Sequence, residues 1–201
     1  ESERYIYNSM QFAMFLASGM MFGIAGIAED FVPLFLGEKY HSCVLLIRVM
    51  APTVPFIAWA NVIRTQYLIP NHKDKSYIIS VMLGAAVNLV VNALLIPRMQ
   101  ALGAVIGTVC AEGSVCISQT VMVRSKLKIA RYLKDTGMYF VFGIVMFLVI
   151  QAVHGLKCET VLSLAVGIIA GGGVYVVLSG TYFLLANRDT AVRILKRKNK
   201  I

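Results

Sequence analysis

Four stretches of this sequence contain no Asp, Glu, Lys or Arg: Tyr5 to Ala28, Ser76 to Pro97, Thr136 to Leu156 and Thr160 to Asn187. As helices rising ~1.5 Å per residue, each is long enough to cross a hydrocarbon core of ~30 Å. Charge-free runs of this length have few uses outside a membrane. Only 14% of the chain is charged and 58% is hydrophobic, whereas a soluble domain keeps roughly 25% charged residues to cover its surface. Water is therefore not the main solvent of this chain.

Two further apolar stretches are interrupted. Val44 to Ile69 carries Arg48 and Arg64 and contains Pro52 and Pro55, while Leu102 to Met122 carries Glu112. Backbone in lipid has to satisfy its own hydrogen bonds, so these stretches too are expected to be helical, with a kink at the Pro pair. The expectation is an all-α, polytopic transmembrane bundle of about six spans at about 9–28, 44–69, 77–96, 102–122, 136–153 and 161–186, followed by a basic tail at 188–201.

Basic residues orient such a bundle. With the N-terminus cytoplasmic, the inner segments hold Arg4, Lys73, Lys75, Arg124, Lys126, Lys128, Arg131, Lys134 and the tail residues Arg188, Arg193, Lys196, Arg197, Lys198 and Lys200. The outer side holds only Lys39, Arg98 and Lys157. Both ends of the segment are then cytoplasmic, and anionic membrane lipids are the natural partners of its net charge of +9. Nucleic acid is a poor partner, because these residues flank spans and form no separate basic domain.

Short connections at Pro70 to Lys75, Pro97 to Ala101 and His154 to Glu159 allow only antiparallel hairpins. Two connections are longer. Glu29 to Cys43 is expected outside, with Phe31, Val32, Leu34, Phe35 and Leu36 at the interface. Arg124 to Asp135 mixes basic and apolar residues and reads as an interfacial amphipathic helix. The chain starts at Glu1 with no Met and no signal pattern, which reads as part of a longer or processed protein. Cys43, Cys110, Cys116 and Cys158 lack metal-site spacing, as do His41, His72 and His154. Cys43 and Cys158 would share the outer side, open either to a disulfide or to free thiols.

Polar groups within spans are costly and tend to face a bundle interior or a watery cavity. The second span offers Arg48, Thr53, Asn61, Arg64 and Gln66, with Thr53, Asn61 and Arg64 near one face. Arg64 could serve a cavity or snorkel to headgroups. The third span repeats Ser80, Gly84, Asn88 and Asn92 every four residues. Its Asn pair could bind substrate or simply join helices. The fourth holds Thr108, Glu112 and Gln119. Glu112 sits near mid-span, out of reach of either interface, so it has to be paired, protonated or solvated in a cavity. The Gly19/Gly23, Gly103/Gly107 and Gly167/Gly171 pairs have GxxxG spacing, which close helix packing explains. Ser163, Gly167, Gly171, Tyr175 and Ser179 likewise form one smooth side of the last span. No Ser/His/Asp set, carboxylate cluster or phosphate-binding loop is visible, so the inventory favours transport over an enzyme and calls for no cofactor.

One long run is more specific than composition. From Pro33 to Val123 it contains Leu36-Gly37-Glu38-Lys39-Tyr40, then Leu68-Ile69-Pro70, Gly84 to Asn92 and Leu95-Ile96-Pro97. It ends with Leu102-Gly103-Ala104-Val105-Ile106-Gly107-Thr108 running into Ala111-Glu112. In this order the series resembles the C-terminal half of Wzx-type polysaccharide-biosynthesis flippases, in the multidrug/oligosaccharidyl-lipid/polysaccharide exporter superfamily. The resemblance implies one lobe of a two-lobe, MATE-like fold in a bacterial cytoplasmic membrane, with an N-terminal lobe completing it. It implies translocation of undecaprenyl-pyrophosphate-linked oligosaccharide repeat units for capsule, O-antigen or exopolysaccharide, with polysaccharide polymerase machinery as a further partner. Under that reading Arg64 and then Arg48 would neutralise the pyrophosphate. Asn61, Asn88, Asn92 and Gln119 would meet sugar hydroxyls, and Glu112 would couple transport to H+ or Na+. A lipid II flippase and a drug or cation antiporter of the same superfamily remain alternatives, and a membrane-embedded glycosyltransferase or polymerase is the alternative from another class.

Overall fold

The computed structural model describes residues 2–156 and 159–186. Seven α-helices follow one another with no strand among the described residues: α1 (Ser2–Phe35), α2 (Cys43–Met50), α3 (Thr53–Ile63), α4 (Asp74–Met99), α5 (Ala101–Val123), α6 (Ile129–His154) and α7 (Thr160–Ala186). A 3-10 turn at Glu38–Tyr40 precedes α2, and a π-helical turn at Arg64–Leu68 extends α3. Taken together, α2, α3 and the π turn make one span, so six segments are long and apolar enough to cross a membrane. The chain is an all-α, multi-pass membrane protein.

The kink lies between α2 and α3, and its hydrogen bonds follow from the Pro pair. Pro55 has no N–H for the Ala51 carbonyl, which instead accepts from Val54 N–H at 3.1 Å. That shift frees the Met50 carbonyl, and the Thr53 hydroxyl donates to it at 2.7 Å. Thr53 is thus a buried structural group and does not share a working face with Asn61 and Arg64. At the other end of the span, Ile69 N–H reaches back five residues to Arg64 O at 3.0 Å, the wide spacing of a π turn.

Packing runs as an arc. Helix α4 lies chiefly against α5, α5 packs on α3 and α2, and these pack on α1. Helices α6 and α7 pack on each other and on α1, so the last two spans belong to the bundle. The main core joins Met10 and Met14 of α1, Trp59 and Ile63 of α3, Val123 of α5, and Tyr132 and Tyr139 of α6. All five small or polar residues of the α7 side, Ser163 to Ser179, are buried. Glycine faces let the helices close. Gly19 meets Tyr175, Gly23 meets Met146, Gly171 meets Ile150, and Gly103 lies under the Leu95 carbonyl.

The helices outrun the expected spans. Glu29 to Phe35 is not a loop: α1 continues through it, with Val32 buried against Ala28 and Val44. Nor is Arg124 to Asp135 a separate amphipathic helix. Ile129 to Asp135 forms the first turns of α6, because Leu127, Ile129 and Tyr132 are drawn into the main core. The 188–201 tail, Lys157 and Cys158, and with it any Cys43–Cys158 disulfide, lie outside the described residues.

Candidate substrate cavity

A cavity of about 860 Å³ lies between α3 and α4, with α5 as its back wall. It exists because α4 is held tightly to α5 while standing away from α3. The Ser80/Gly84/Asn88/Asn92 repeat supplies the tight contact. Gly84 has no room for a Cβ against Val115, and the Asn92 amide fills the space beside Gly107. Asn92 donates one turn back to Asn88 at 2.9 Å, so the pair forms a polar strip on α4.

Six sequence-selected residues meet in this cavity: Asn61, Arg64, Asn88, Asn92, Glu112 and Gln119. Asn61, near the end of α3, and Arg64, at the start of the π turn, are one turn apart, and the Arg64 guanidinium donates to Asn61 Oδ1 at 2.5 Å. It also donates to the Tyr77 hydroxyl at 3.3 Å and sits 5.4 Å from the centre of that ring. Arg64 therefore ties the π turn to α4, with its guanidinium at the cavity wall. Tyr77 is a lining residue that the sequence reading missed. It stands one turn before Ser80, so extending the α4 repeat by one helical neighbour would have found it.

On α5, Gln119 donates to the Ser80 hydroxyl at 3.0 Å, and that hydroxyl in turn donates to the Tyr77 carbonyl at 2.6 Å. Gln119 is only 1% exposed, yet its Oε1 has no partner among the described residues; Asn92 Oδ1 and Arg64 Nε are in the same position. Glu112 is half-buried on the same wall, with no hydrogen bond or ion pair among the described residues. The site thus offers a guanidinium donor at one end and several acceptor oxygens along its length. Such an arrangement can hold an anionic group together with hydroxyls.

Arg48 is not in the cavity. It forms an ion pair with Glu29 at 2.6 Å and donates to the Ala25 carbonyl at 3.1 Å, tying α2 to α1. A second polar group, also missed, lies near that end of the bundle. Asp30 is 7% exposed and meets His154 Nδ1 at 2.8 Å and the Ser163 hydroxyl at 2.9 Å. Among the described residues, no three His, Cys, Asp or Glu side chains stand together as a metal site. No family model, no curated protein and no solved structure matches the chain.

Proposed function

We propose that this chain moves an undecaprenyl-pyrophosphate-linked oligosaccharide across a bacterial cytoplasmic membrane, for surface polysaccharide assembly. The observation that carries the reading is the meeting of Arg64, three amide side chains from two helices and the α3 Asn61 in one intramembrane cavity. Arg64, the sole cation among the described lining residues, would meet the pyrophosphate. The amide side chains of Asn61, Asn88, Asn92 and Gln119 on the cavity wall suit sugar hydroxyls, which donate as readily as they accept. The resemblance of Pro33 to Val123 to repeat-unit flippases supports the same substrate. The prenyl tail would stay in lipid while a second lobe, facing the open side of α3 and α4, completes the passage. Rocking of the lobes would alternate access. In this reading the chain performs no bond chemistry, both ends of the segment face the cytoplasm, and polymerase machinery takes the product.

A cation antiporter is the second reading, and Glu112 favours it: a carboxylate without a partner suits an ion. Depleting the protein in its source cells separates the two. A flippase leaves complete lipid-linked repeat units on the cytoplasmic leaflet and surface polysaccharide missing. Normal lipid intermediates with new sensitivity to cationic drugs would select the antiporter.

A further inference from the structure

Helices α5 and α6 are consecutive but make no extensive contact with each other. The gap between them is a groove of about 550 Å³, floored by α1 and α3. From this groove we infer a binding site for one acyl chain of an anionic glycerophospholipid, with its phosphate on Arg124, Lys126 and Lys134. This site is separate from the cavity between α3 and α4, and the inference does not depend on what that cavity carries.

The groove is shaped for hydrocarbon. Trp59 and Pro55 lie buried on its floor, while Ile117, Val121 and Leu133 stand exposed along its rim. Its polar atoms are already occupied. Trp59 donates to Thr120 Oγ1 at 2.8 Å, Thr120 donates to the Cys116 carbonyl at 2.7 Å, and Thr136 to the Tyr132 carbonyl at 2.7 Å. Nothing inside asks for water. Gly137 opens it further: a Cβ there would meet no atom within 4 Å. In a bilayer, lipid chains fill such a gap, because packing against a lined groove is better than leaving contacts unmade.

Charge at one end decides which lipid. Arg124 follows Val121 by one turn on α5, and Lys134 precedes Gly137 by one turn on α6, so both stand at the end of the groove beside the α5–α6 connection. Lys126 lies in that connection. The nearby acids are spoken for: Glu3 pairs with Lys128 at 3.1 Å and Asp135 with Arg131 at 3.6 Å. Arg124, Lys126 and Lys134 have no ion pair among the described residues. Three free cations beside a dry groove match an anionic head with a chain beneath it.

Trp59, the single tryptophan of the chain, makes the test direct. The full chain is reconstituted in vesicles containing phosphatidylglycerol, or phosphatidylcholine, brominated midway along one acyl chain. Bromine quenches tryptophan at contact range. The expected result is at least twofold stronger quenching by the phosphatidylglycerol at equal mole fraction. The Arg124→Gln, Lys134→Gln double variant should remove that preference but keep the quenching. Gly137→Leu should cut quenching by both lipids with helicity by circular dichroism unchanged. Equal quenching by the two lipids in the unaltered chain, or a preference that survives the double variant, overturns the site. No quenching by either lipid would mean that protein covers the groove. Relief of quenching by a trace of prenyl phosphate would reassign it to isoprenoid tails.

Discussion

Gln119 on α5 donates a hydrogen bond at 3.0 Å to Ser80 on α4, and the same side chain lines the cavity with its Oε1 buried and unpartnered among the described residues. One side chain therefore joins two helices and forms part of the cavity wall. The two roles separate by magnitude. Interhelical hydrogen bonds in membranes are worth about 0.6 kcal/mol on average, so Gln119→Leu should barely lower the unfolding temperature of the purified protein. Export of surface polysaccharide by the same variant should fall severalfold. A large loss of thermal stability with normal export per folded molecule would make Gln119 a helix clamp only.

The α4–α5 contact predicts a contrast between glycines. At Gly107 a new side chain runs into the Asn92 amide, whereas at Gly172 it meets nothing within 4 Å. Overpacking a tight contact typically costs about 1–3 kcal/mol. Gly107→Val should lower the unfolding midpoint accordingly and displace Asn92 from its strip, reducing export as well. Gly172→Ala should be neutral or slightly stabilising, since Ala is the better helix former. Thermal unfolding in detergent, run on both variants, checks the pair; equal effects would contradict this helix contact.

Charge-free length made four spans legible, and apolar runs broken only by Arg48, Arg64 or Glu112 gave the other two, because a membrane leaves a helix few other choices. Helix ends were not legible. Glu29 and Asp30 look like a stop, yet α1 runs through them because Arg48 meets Glu29, and His154 and Ser163 meet Asp30. Those partners are brought in by the way hairpins fold back, which no local rule encodes. Three of the four residues of the α4 repeat, Gly84, Asn88 and Asn92, line the cavity, since a spacing of four stays on one side of a helix. Arg48 and Arg64 were both cavity candidates in sequence, Arg64 ahead of Arg48. Only the distribution of acids and aromatics in space sends one to Glu29 and the other to Asn61 and Tyr77.

That difference between the two arginines is itself testable. Arg64→Ala removes the cavity's cation and should reduce export at least tenfold, with Arg64→Lys restoring part of it, because charge returns without the paired contacts to Asn61 and Tyr77. Arg48→Ala should act through stability alone. Its ion pair is about 30% exposed on each side, and such pairs contribute about 0.2–1 kcal/mol. Export per folded molecule should therefore be near normal for Arg48→Ala. If the two substitutions reduce export equally at equal protein level, the assignment to Arg64 alone is wrong.

Asp30 holds the ends of two other helices, His154 from the end of α6 and Ser163 from the start of α7, from a position within α1. Each hydrogen bond to a charged group is worth roughly 1.5–3 kcal/mol. Asp30→Ala leaves the Ser163 hydroxyl without its acceptor, so it should destabilise by at least that amount and raise amide exchange at the start of α7. Asp30→Asn keeps an oxygen for Ser163 and, once the His154 ring takes the tautomer that accepts at Nδ1, an N–H for His154, and should lose less than half as much. Thermal unfolding with hydrogen exchange across α6 and α7 separates the outcomes. If Asn is as damaging as Ala, the carboxylate's charge matters more than its two contacts; if neither variant is weakened, the two helix ends are held by apolar packing alone.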